Sequence, residues 1–333
     1  MNVSPLVSIV TPCLDPGPRL ERCIDSVRGL TYERVEHVVV DGGSRDGTIE
    51  LLRAHPQVRW ISEPDEGQTA AINKGFRLAS GEILTWLNAD DQLVPESAAL
   101  AVEAFTRNPQ LGLVYGDMEV FEEGGKTMTW HAWPKLTATA LEAGEVIPQA
   151  GAFVAAWALE RVGELDETFH LAMDVDLWIR LVDAGIPSAH LGTVTAIFEL
   201  HPRSKSGSIP RFDFFEEQAR AYAKSGRRRA AALSLGRGAA TAALSGKRVG
   251  AEALAREVER ACRRGRALGE LSRSEIEAAA RAEAAVLELK SSPLGLRHLL
   301  ASAPWRLPET RARLLAAARR GSGRAARAAL RLG

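Results

Sequence analysis

Residues 80–91 read Ser-Gly-Glu-Ile-Leu-Thr-Trp-Leu-Asn-Ala-Asp-Asp, an apolar run over Glu82–Leu87 that stops at small and acidic residues. Similar β-branched runs lie at Val7–Val10, Val35–Val40 and Val58–Ser62. Short apolar strands that alternate with helical segments predict βαβ units and an α/β fold with a parallel sheet covered on both faces. Ligands of such sheets bind beyond the carboxyl ends of the strands, so polar residues at those ends are the candidates for function.

Helices are expected between the strands, because apolar residues recur there at spacings of three and four. The predicted helices cover Arg19–Arg28, the residues after Asp46, Thr69–Leu78, Glu96–Thr106, Leu159–Val162 and Asp174–Ala184. Further strands are expected at Leu113–Tyr115 and Thr193–Leu200. The segment Met118–Pro148 has a mixed pattern and receives no assignment.

Charge is distributed unevenly along the 333 residues. The chain has 42 Lys/Arg and 42 Asp/Glu, yet Tyr222–Gly333 carries 24 of the basic and only 9 of the acidic residues. The composition also shifts to Ala, Arg and Leu after about Phe215. We therefore predict an α/β domain over residues 1–215 and an Ala/Arg-rich helical extension over residues 216–333.

No targeting or membrane segment is expected. The N-terminus lacks a basic and apolar leader pattern. The uncharged run Val146–Leu159 has 14 residues, whereas a spanning helix needs about 20. The three cysteines, Cys13, Cys23 and Cys262, are odd in number and unclustered, which fits a reducing cytoplasm and gives no metal or disulfide framework.

Adjacent carboxylates follow the strand at Glu82–Leu87. Two like charges about 4 Å apart cost roughly 4 kcal/mol at an effective dielectric of 20, and a divalent cation reverses the sign of that interaction. Asp90 and Asp91 therefore predict a Mg²⁺ or Mn²⁺ site. The alternative is a turn with a helix cap leading to Pro95.

Other polar residues carry weaker signals. Asp41 ends a strand beside two glycines, where a carboxylate can bind a ribose hydroxyl or a base, or simply cap a turn. Asp174 and Asp176 start a helix, where acids also favour the positive end of the dipole. His201 opens a cationic, hydroxyl-rich segment that can close over a phosphate. Neither G-x-G-x-x-G nor G-x-x-x-x-G-K-[ST] follows any of the strands, which disfavours a dinucleotide dehydrogenase or a P-loop enzyme.

The order of these pieces resembles glycosyltransferase family 2, whose members are inverting enzymes with a GT-A (Rossmann-like) fold. The resemblance covers Val7 to about Ser208 and excludes the Ala/Arg tail. Six motifs carry it, namely SIVTP (8–12), VVVDGGSRDGT (38–48), SEPDEGQTAAINKGF (62–76), SGEILTWLNADD (80–91), MDVDLWIR (173–180) and HPRSKS (201–206). The implied fold is a nucleotide-sugar-binding domain with a mixed, mainly parallel sheet.

The resemblance also implies roles for individual residues. Nucleotide-sugar contacts are implied for Thr11, Pro12, Asp41, Gly67, Gln68, Asn73, Asn88 and Asp90. The implied metal ligands are Asp91 and His201, the implied catalytic base is Asp174, and the acceptor side is implied to include Trp178 and Asp176. Two positions depart from the family pattern: Asn88 stands where many members have an acid, and Met173 stands where a Glu precedes the base.

The resulting expectation is a metal-assisted, inverting sugar transfer. The donor would be a nucleoside-diphosphate sugar, UDP- or dTDP- in preference to GDP-linked, and the cofactor Mg²⁺ or Mn²⁺. The acceptor would be a carbohydrate or a lipid-linked hydroxyl in surface polysaccharide or glycoconjugate synthesis. Two alternatives stay open, a sugar-phosphate nucleotidyltransferase and an inactive scaffold that uses the helical tail.

The basic tail has several interpretations. Its arginines can lie on solvated helix faces, mediate self-association, or contact anionic lipid at the inner face of the cell membrane. Nucleic acid is not expected as a partner, since no recognised motif or aromatic stacking pattern accompanies the charge.

Overall fold

The computed structural model describes residues 4–122, 125–143, 147–205, 211–245, 251–269 and 271–291. The chain forms two compact units. The first comprises Met1–Leu141 with Glu145–Ile209, and the second comprises Glu142–Gly144 with Pro210–Gly333.

The first unit contains one sheet flanked by helices. Within the described residues its strands are β1 (Val7–Cys13), β2 (Val35–Asp41), β3 (Arg59–Ser62), β4 (Ile83–Trp86), β5 (Gln92–Leu93), β6 (Leu113–Glu122), β7 (Gly125–Trp130), β8 (Ala152–Ala155) and β9 (Ser188–Glu199). Its helices are α1 (Arg19–Arg28), α2 (Thr48–Ala54), α3 (Gln68–Leu78), α4 (Ser97–Arg107), α5 (Ala138–Glu142), α6 (Ala156–Val162) and α7 (Met173–Asp183).

The strand order is β3-β2-β1-β4-β8-β6-β9-β5, with β7 paired to β6. The first four strands run parallel, as do β6 and β9, whereas β5, β7 and β8 run against their neighbours. The sheet is therefore mixed and mainly parallel, which confirms the predicted fold class. Every residue of β1 is buried, as expected for a central strand covered on both faces.

The strand order reverses direction at β1, which lies between β2 and β4. Its register with β4 ends at Val10–Trp86, whereas its register with β2 continues to Cys13–Asp41. The last bond towards β4 runs from the Leu87 amide to the Val10 carbonyl. Backbone groups alternate in direction along a strand, so Pro12 also faces β4, and proline has no amide hydrogen to continue the ladder. A crevice therefore opens between the carboxyl ends of β1 and β4.

Helix α3 packs directly on β1. Its buried side comprises Thr69, Ala71, Ile72, Asn73, Gly75 and Phe76. The contact is so close that a Cβ atom at Gly75 would lie 2.2 Å from Cγ1 of Val10. This approach brings the N-terminus of α3 to the crevice.

The second half of the sheet differs from the prediction. Strands β6 and β9 extend well beyond the predicted Leu113–Tyr115 and Thr193–Leu200, and β7 and β8 lie in regions without a strand prediction. Pairing of β6 with β9 contains register shifts around Asp117. Because the shifts interrupt the two-residue alternation, the sequence pattern over these strands is irregular.

The second unit is helical over its described part. Its helices are α8 (Arg211–Lys224), α9 (Arg228–Ser245), α10 (Ala251–Ala267) and α11 (Arg273–Ser291). Alanine-rich faces let α9 and α11 approach closely, and a Cβ at Gly236 would lie 2.5 Å from that of Ala279. Residues 292–333 of the predicted extension lie outside the described residues. Among the helices that the structure describes, none has the length and hydropathy needed to span a bilayer.

Candidate functional site

The turn after β4 is the centre of the candidate site. Within the turn, the Asp91 amide donates to the Asn88 carbonyl, and the Asn88 side chain donates to Oδ2 of Asp91, each at 3.0 Å. Oδ1 of Asn88 accepts from Nε2 of Gln68 at 2.6 Å. Three predicted site residues thus form one hydrogen-bonded chain that links the first turn of α3 to the acidic turn.

Asp91 is buried, with 1% of its surface exposed. Its Oδ1 accepts from the Glu199 amide at the end of β9, at 3.3 Å. Burial, and then the neighbouring Asp90 carboxylate, raise the pKa of Asp91 well above its ordinary value, and the Asn88 hydrogen bond offsets part of that effect. A nearby cation would favour the ionised form of such a carboxyl group.

His201, which follows β9, contacts the same turn. Its Nε2 lies 3.1 Å from Oδ2 of Asp90. Nearby, Arg203 donates to the Asp15 carbonyl and Lys205 to the His170 carbonyl, each at 2.8 Å. The segment 201–205 therefore connects the loop after β1, the turn after β4 and the residues before α7.

Asp41 organises the loop after β2. Its two oxygens accept from the Gly43 and Ser44 amides and from the hydroxyls of Ser44 and Ser62. Burial alone raises the pKa of Asp41, but these hydrogen bonds outweigh burial and lower it. Asp41 has no exposed surface, so a ligand could contact this carboxylate only after a rearrangement of the loop.

Thr11 lies near the carboxyl end of β1, and Gly67 lies in the loop that follows β3. The Thr11 hydroxyl is buried and lies 2.8 Å from Nε2 of His37 and 3.7 Å from Sγ of Cys23, so its side chain faces helix α1. Gly67 precedes α3 with φ +114°, a conformation that favours glycine. Its amide donates to Oδ1 of Asp65 at 2.9 Å, which fixes the loop between β3 and α3.

Asp174 lies in the first turn of α7 and is half-buried. Two contacts lie on either side of this turn. The Thr69 hydroxyl, in the first turn of α3, donates to the Phe169 carbonyl at 2.7 Å. One helical turn after Asp174, Trp178 stacks on Trp86 at the end of β4, with 6.2 Å between ring centroids. Helix α7 and the residues before it are thereby joined to α3 and to the end of β4.

The predicted acceptor residues serve other contacts in this structure. Asp176 is 2% exposed and pairs with Arg180 at 2.7 Å, and Trp178 is fully buried. Arg180 also donates to the carbonyls of Val162, Gly163 and Glu164. Both side chains hold α7 in place, and an acceptor could contact neither of them without a rearrangement.

Sequence reasoning missed Gln149 and a group around Asp117. Nε2 of Gln149 donates to the Trp86 carbonyl at 2.6 Å, directly before the acidic turn. The Asp117 carboxylate lies within 2.8 Å of ring nitrogens of His131 and His190. Their numbers in the sequence are far apart, so no local pattern signals either arrangement.

The acidic turn carries donor types that divalent cations bind. Asp90 and Asp91 supply carboxylate oxygens, which suit Mg²⁺ and Mn²⁺, and His201 supplies an imidazole nitrogen, which suits Mn²⁺. Among the described residues, however, no group of three or more His, Cys, Asp or Glu side chains is placed to hold a metal ion.

Comparison with known proteins assigns the class: the chain belongs to glycosyltransferase family 2. The family model described as "Glycosyl transferase family 2" matches residues 8–158. An uncharacterized glycosyltransferase of Mycobacterium tuberculosis is 30% identical over 184 residues, which cover 54% of this chain and 70% of the relative.

Longer relatives match over only part of their length. Chondroitin synthase of Escherichia coli is 29% identical over 64% of this chain and 31% of the relative. Hyaluronan synthase of Pasteurella multocida is 28% identical over 56% of this chain and 19% of the relative. The chain therefore spans less than a third of these two synthases.

Solved structures support the GT-A fold. Residues 1–349 of Staphylococcus aureus TarS, in complex with UDP-GlcNAc, align over 86% of this chain and 92% of that chain, with a TM-score of 0.59 and 16% identity. The mannosyltransferase PcManGT of Pyrobaculum calidifontis, in complex with GDP-Man and Mn²⁺, aligns over 92% and 88% of the chains, with a TM-score of 0.50 and 19% identity.

Proposed function

We propose that this chain transfers a sugar from a nucleoside-diphosphate sugar to an acceptor hydroxyl, with metal assistance and inversion at the anomeric carbon. One observation carries the proposal. His201 contacts Asp90, next to the buried Asp91, in the turn after β4, and helix α7, which carries Asp174, packs on the end of β4 through Trp178 and Trp86. These contacts support a site in which a cation at the turn and a carboxylate from α7 act on the same substrate.

The proposed donor site extends from the acidic turn along the crevice. Pro12 lies at the end of β1, and Gly67 and Gln68 lie at the start of α3; Thr11 and Asp41 are buried, so they support this site from beneath unless the loops after β1 and β2 rearrange. Arg203 and Lys205 add positive charge near a diphosphate. The donor that we propose is UDP- or dTDP-linked; TarS was solved with UDP-GlcNAc, whereas PcManGT was solved with GDP-Man.

The proposed metal ligands are Asp91 and His201, with Asp90 contacting the sugar or ribose. A bound Mg²⁺ or Mn²⁺ supplies charge neutralisation of the leaving diphosphate. Asn88 is uncharged, and its part is to hold Asp91 through the 3.0 Å hydrogen bond.

Asp174 is the proposed general base. Its carboxylate accepts the proton of the acceptor hydroxyl while that oxygen forms a bond to the anomeric carbon. The bond from that carbon to the diphosphate oxygen breaks, and its electron pair leaves with the nucleoside diphosphate. Because attack comes from the face opposite the leaving group, a single displacement inverts the centre. Proton removal of this kind contributes about 10²–10⁴-fold.

We further propose a carbohydrate or lipid-linked acceptor in surface polysaccharide or glycoconjugate synthesis. Chondroitin synthase and hyaluronan synthase, by their names, make polysaccharides, which supports this class of product. The proposed location is the cytoplasm, with peripheral contact at the inner face of the membrane.

A thermal-shift panel of UDP-, dTDP- and GDP-sugars with Mg²⁺ or Mn²⁺ tests the donor. A ligand at 100 times its dissociation constant adds about 2.7 kcal/mol to the free energy of unfolding. We expect a shift with UDP- or dTDP-sugars that disappears with EDTA and returns with excess Mn²⁺. Turnover should release a nucleoside diphosphate, whereas released pyrophosphate would identify a nucleotidyltransferase. Absence of any shift would favour an inactive scaffold.

A further inference from the structure

Asn73 is a predicted nucleotide contact, but its side chain points elsewhere. It lies in the middle of α3 and is 1% exposed. Its Nδ2 donates to the Leu165 carbonyl and to Oε1 of Glu167, both at 2.9 Å. Its Oδ1 accepts from the Leu165 amide at 3.0 Å. Both amide hydrogens and the carbonyl oxygen are therefore committed to the segment 165–167.

Thr69 acts on the other end of the same segment. It precedes Asn73 by four residues, so the two side chains share one face of α3. The Thr69 hydroxyl is buried and donates to the Phe169 carbonyl at 2.7 Å. Two side chains of one helix thus hold residues 165–169, and helix α7 starts four residues later at Met173.

We propose that Asn73 is a positioning residue for the base Asp174 and not a nucleotide contact. By fixing residues 165–169 against α3, it sets where α7 begins and therefore where the Asp174 carboxylate stands. The inference rests on the proposed transferase function, since that function gives Asp174 its role. A shift of about 1 Å in a catalytic group can cost about 10²-fold in rate, while the donor pocket keeps all of its polar contacts.

Asn73→Ala and Thr69→Val test this role. Thr69→Val keeps the side-chain volume, so it serves as the gentler variant if Asn73→Ala folds poorly. We expect kcat for consumption of the donor found in the panel to fall 10- to 100-fold in Asn73→Ala and several-fold in Thr69→Val. The dissociation constant of UDP with Mn²⁺, measured by calorimetry, should change less than twofold. Amide hydrogen exchange over residues 165–175 should become faster in both variants.

Arg77→Ala is the matched control. Arg77 lies on the same helix and pairs with Glu164, beside the same segment, but both side chains are about half exposed. Exposed ion pairs contribute little, so this variant should keep the kcat and the exchange rates of the wild type.

Two results would overturn the inference. One is a tenfold or larger loss of UDP affinity in Asn73→Ala with unchanged kcat at saturating donor, which would make Asn73 a nucleotide contact. The other is unchanged exchange over residues 165–175. If the wild-type chain binds UDP but consumes no nucleotide sugar, the proposed function fails, and the exchange measurement still decides whether Asn73 holds the segment.

Discussion

At the scale of single residues, Asp174 gives the most direct test of the chemistry. Asp174→Asn keeps the shape of the side chain but removes the proton acceptor. We expect turnover to fall about 10²–10⁴-fold, while the affinity for UDP with Mn²⁺ stays unchanged, as measured by steady-state kinetics and calorimetry.

Asp183→Asn makes the same chemical change at the exposed C-terminal end of α7. It should leave turnover unchanged. Near-normal turnover in Asp174→Asn would remove Asp174 from the role of base.

His37 links stability to pH. It is buried in β2 next to Thr11, and burial lowers the pKa of its imidazole from 6.5 to about 4. Above pH 6.5 the imidazole is neutral in both the folded and the unfolded chain. As the pH falls from 6.5 towards 4, only the unfolded chain takes up the proton, so the free energy of unfolding decreases.

At pH 5 this decrease should amount to about 2 kcal/mol. Urea denaturation of the wild type and of His37→Gln at pH 7.5 and pH 5 measures it, and the variant should lose about 2 kcal/mol less than the wild type between the two values. Equal losses in both proteins would show that His37 is not the titrating group.

At the scale of elements, the close contact of α3 with β1 depends on Gly75, which has no side chain. A Cβ at Gly75 would meet Cγ1 of Val10 at 2.2 Å, so Gly75→Ala overpacks the interface. We expect a loss of about 1–3 kcal/mol in the free energy of unfolding.

Adding Val10→Ala should recover part of that loss, because it removes the atoms that clash. A double-mutant cycle by chemical denaturation measures the coupling. Strict additivity of the two changes would contradict the packing argument.

The sequence predicted the elements of the first half of the sheet well. Strands β1, β2 and β4 contain short apolar, β-branched runs because both of their faces are covered, and such runs are visible without any structure. Strand β7 carries Met128 and Trp130 with more than a third of their surfaces exposed. Burial therefore does not require apolar residues at alternate positions of β7, and its sequence pattern did not predict a strand.

The candidate site was predictable in type but not in detail. Carboxylates at strand ends stand out in the sequence, so Asp90 and Asp91 could be selected in advance. Which way a buried side chain points is a tertiary property. Asn73 hydrogen-bonds to residues 165–167, and Asp176 forms an ion pair with Arg180. The spacing of residues in the sequence does not indicate either side-chain direction.

At the scale of the whole molecule, the charge of the tail divides into two parts. In the described helices many arginines are paired, including Arg260 with Asp213, Arg264 with Glu216 and Arg273 with Glu259. Residues 292–333 contain nine Arg and one Glu, and such charge attracts anionic lipid by about 1 kcal/mol per basic residue near the surface.

We therefore expect the full chain to sediment with vesicles that contain phosphatidylserine and not with neutral vesicles. Binding should weaken in high salt, because the attraction is screened. A chain that ends at Ser291 should lose most of the binding. Equal sedimentation of the shortened chain would place the lipid contact elsewhere or remove it.

Pro12 has a consequence for the resting protein. Two adjacent strands with free backbone groups tend to extend their hydrogen-bonded ladder, because each strand has the donors and acceptors that the other needs. In β1 the donor at position 12 is missing, because the proline nitrogen carries no hydrogen. The ladder between β1 and β4 therefore ends at this level by the chemistry of one residue, because the proline ring removes the donor that would continue it.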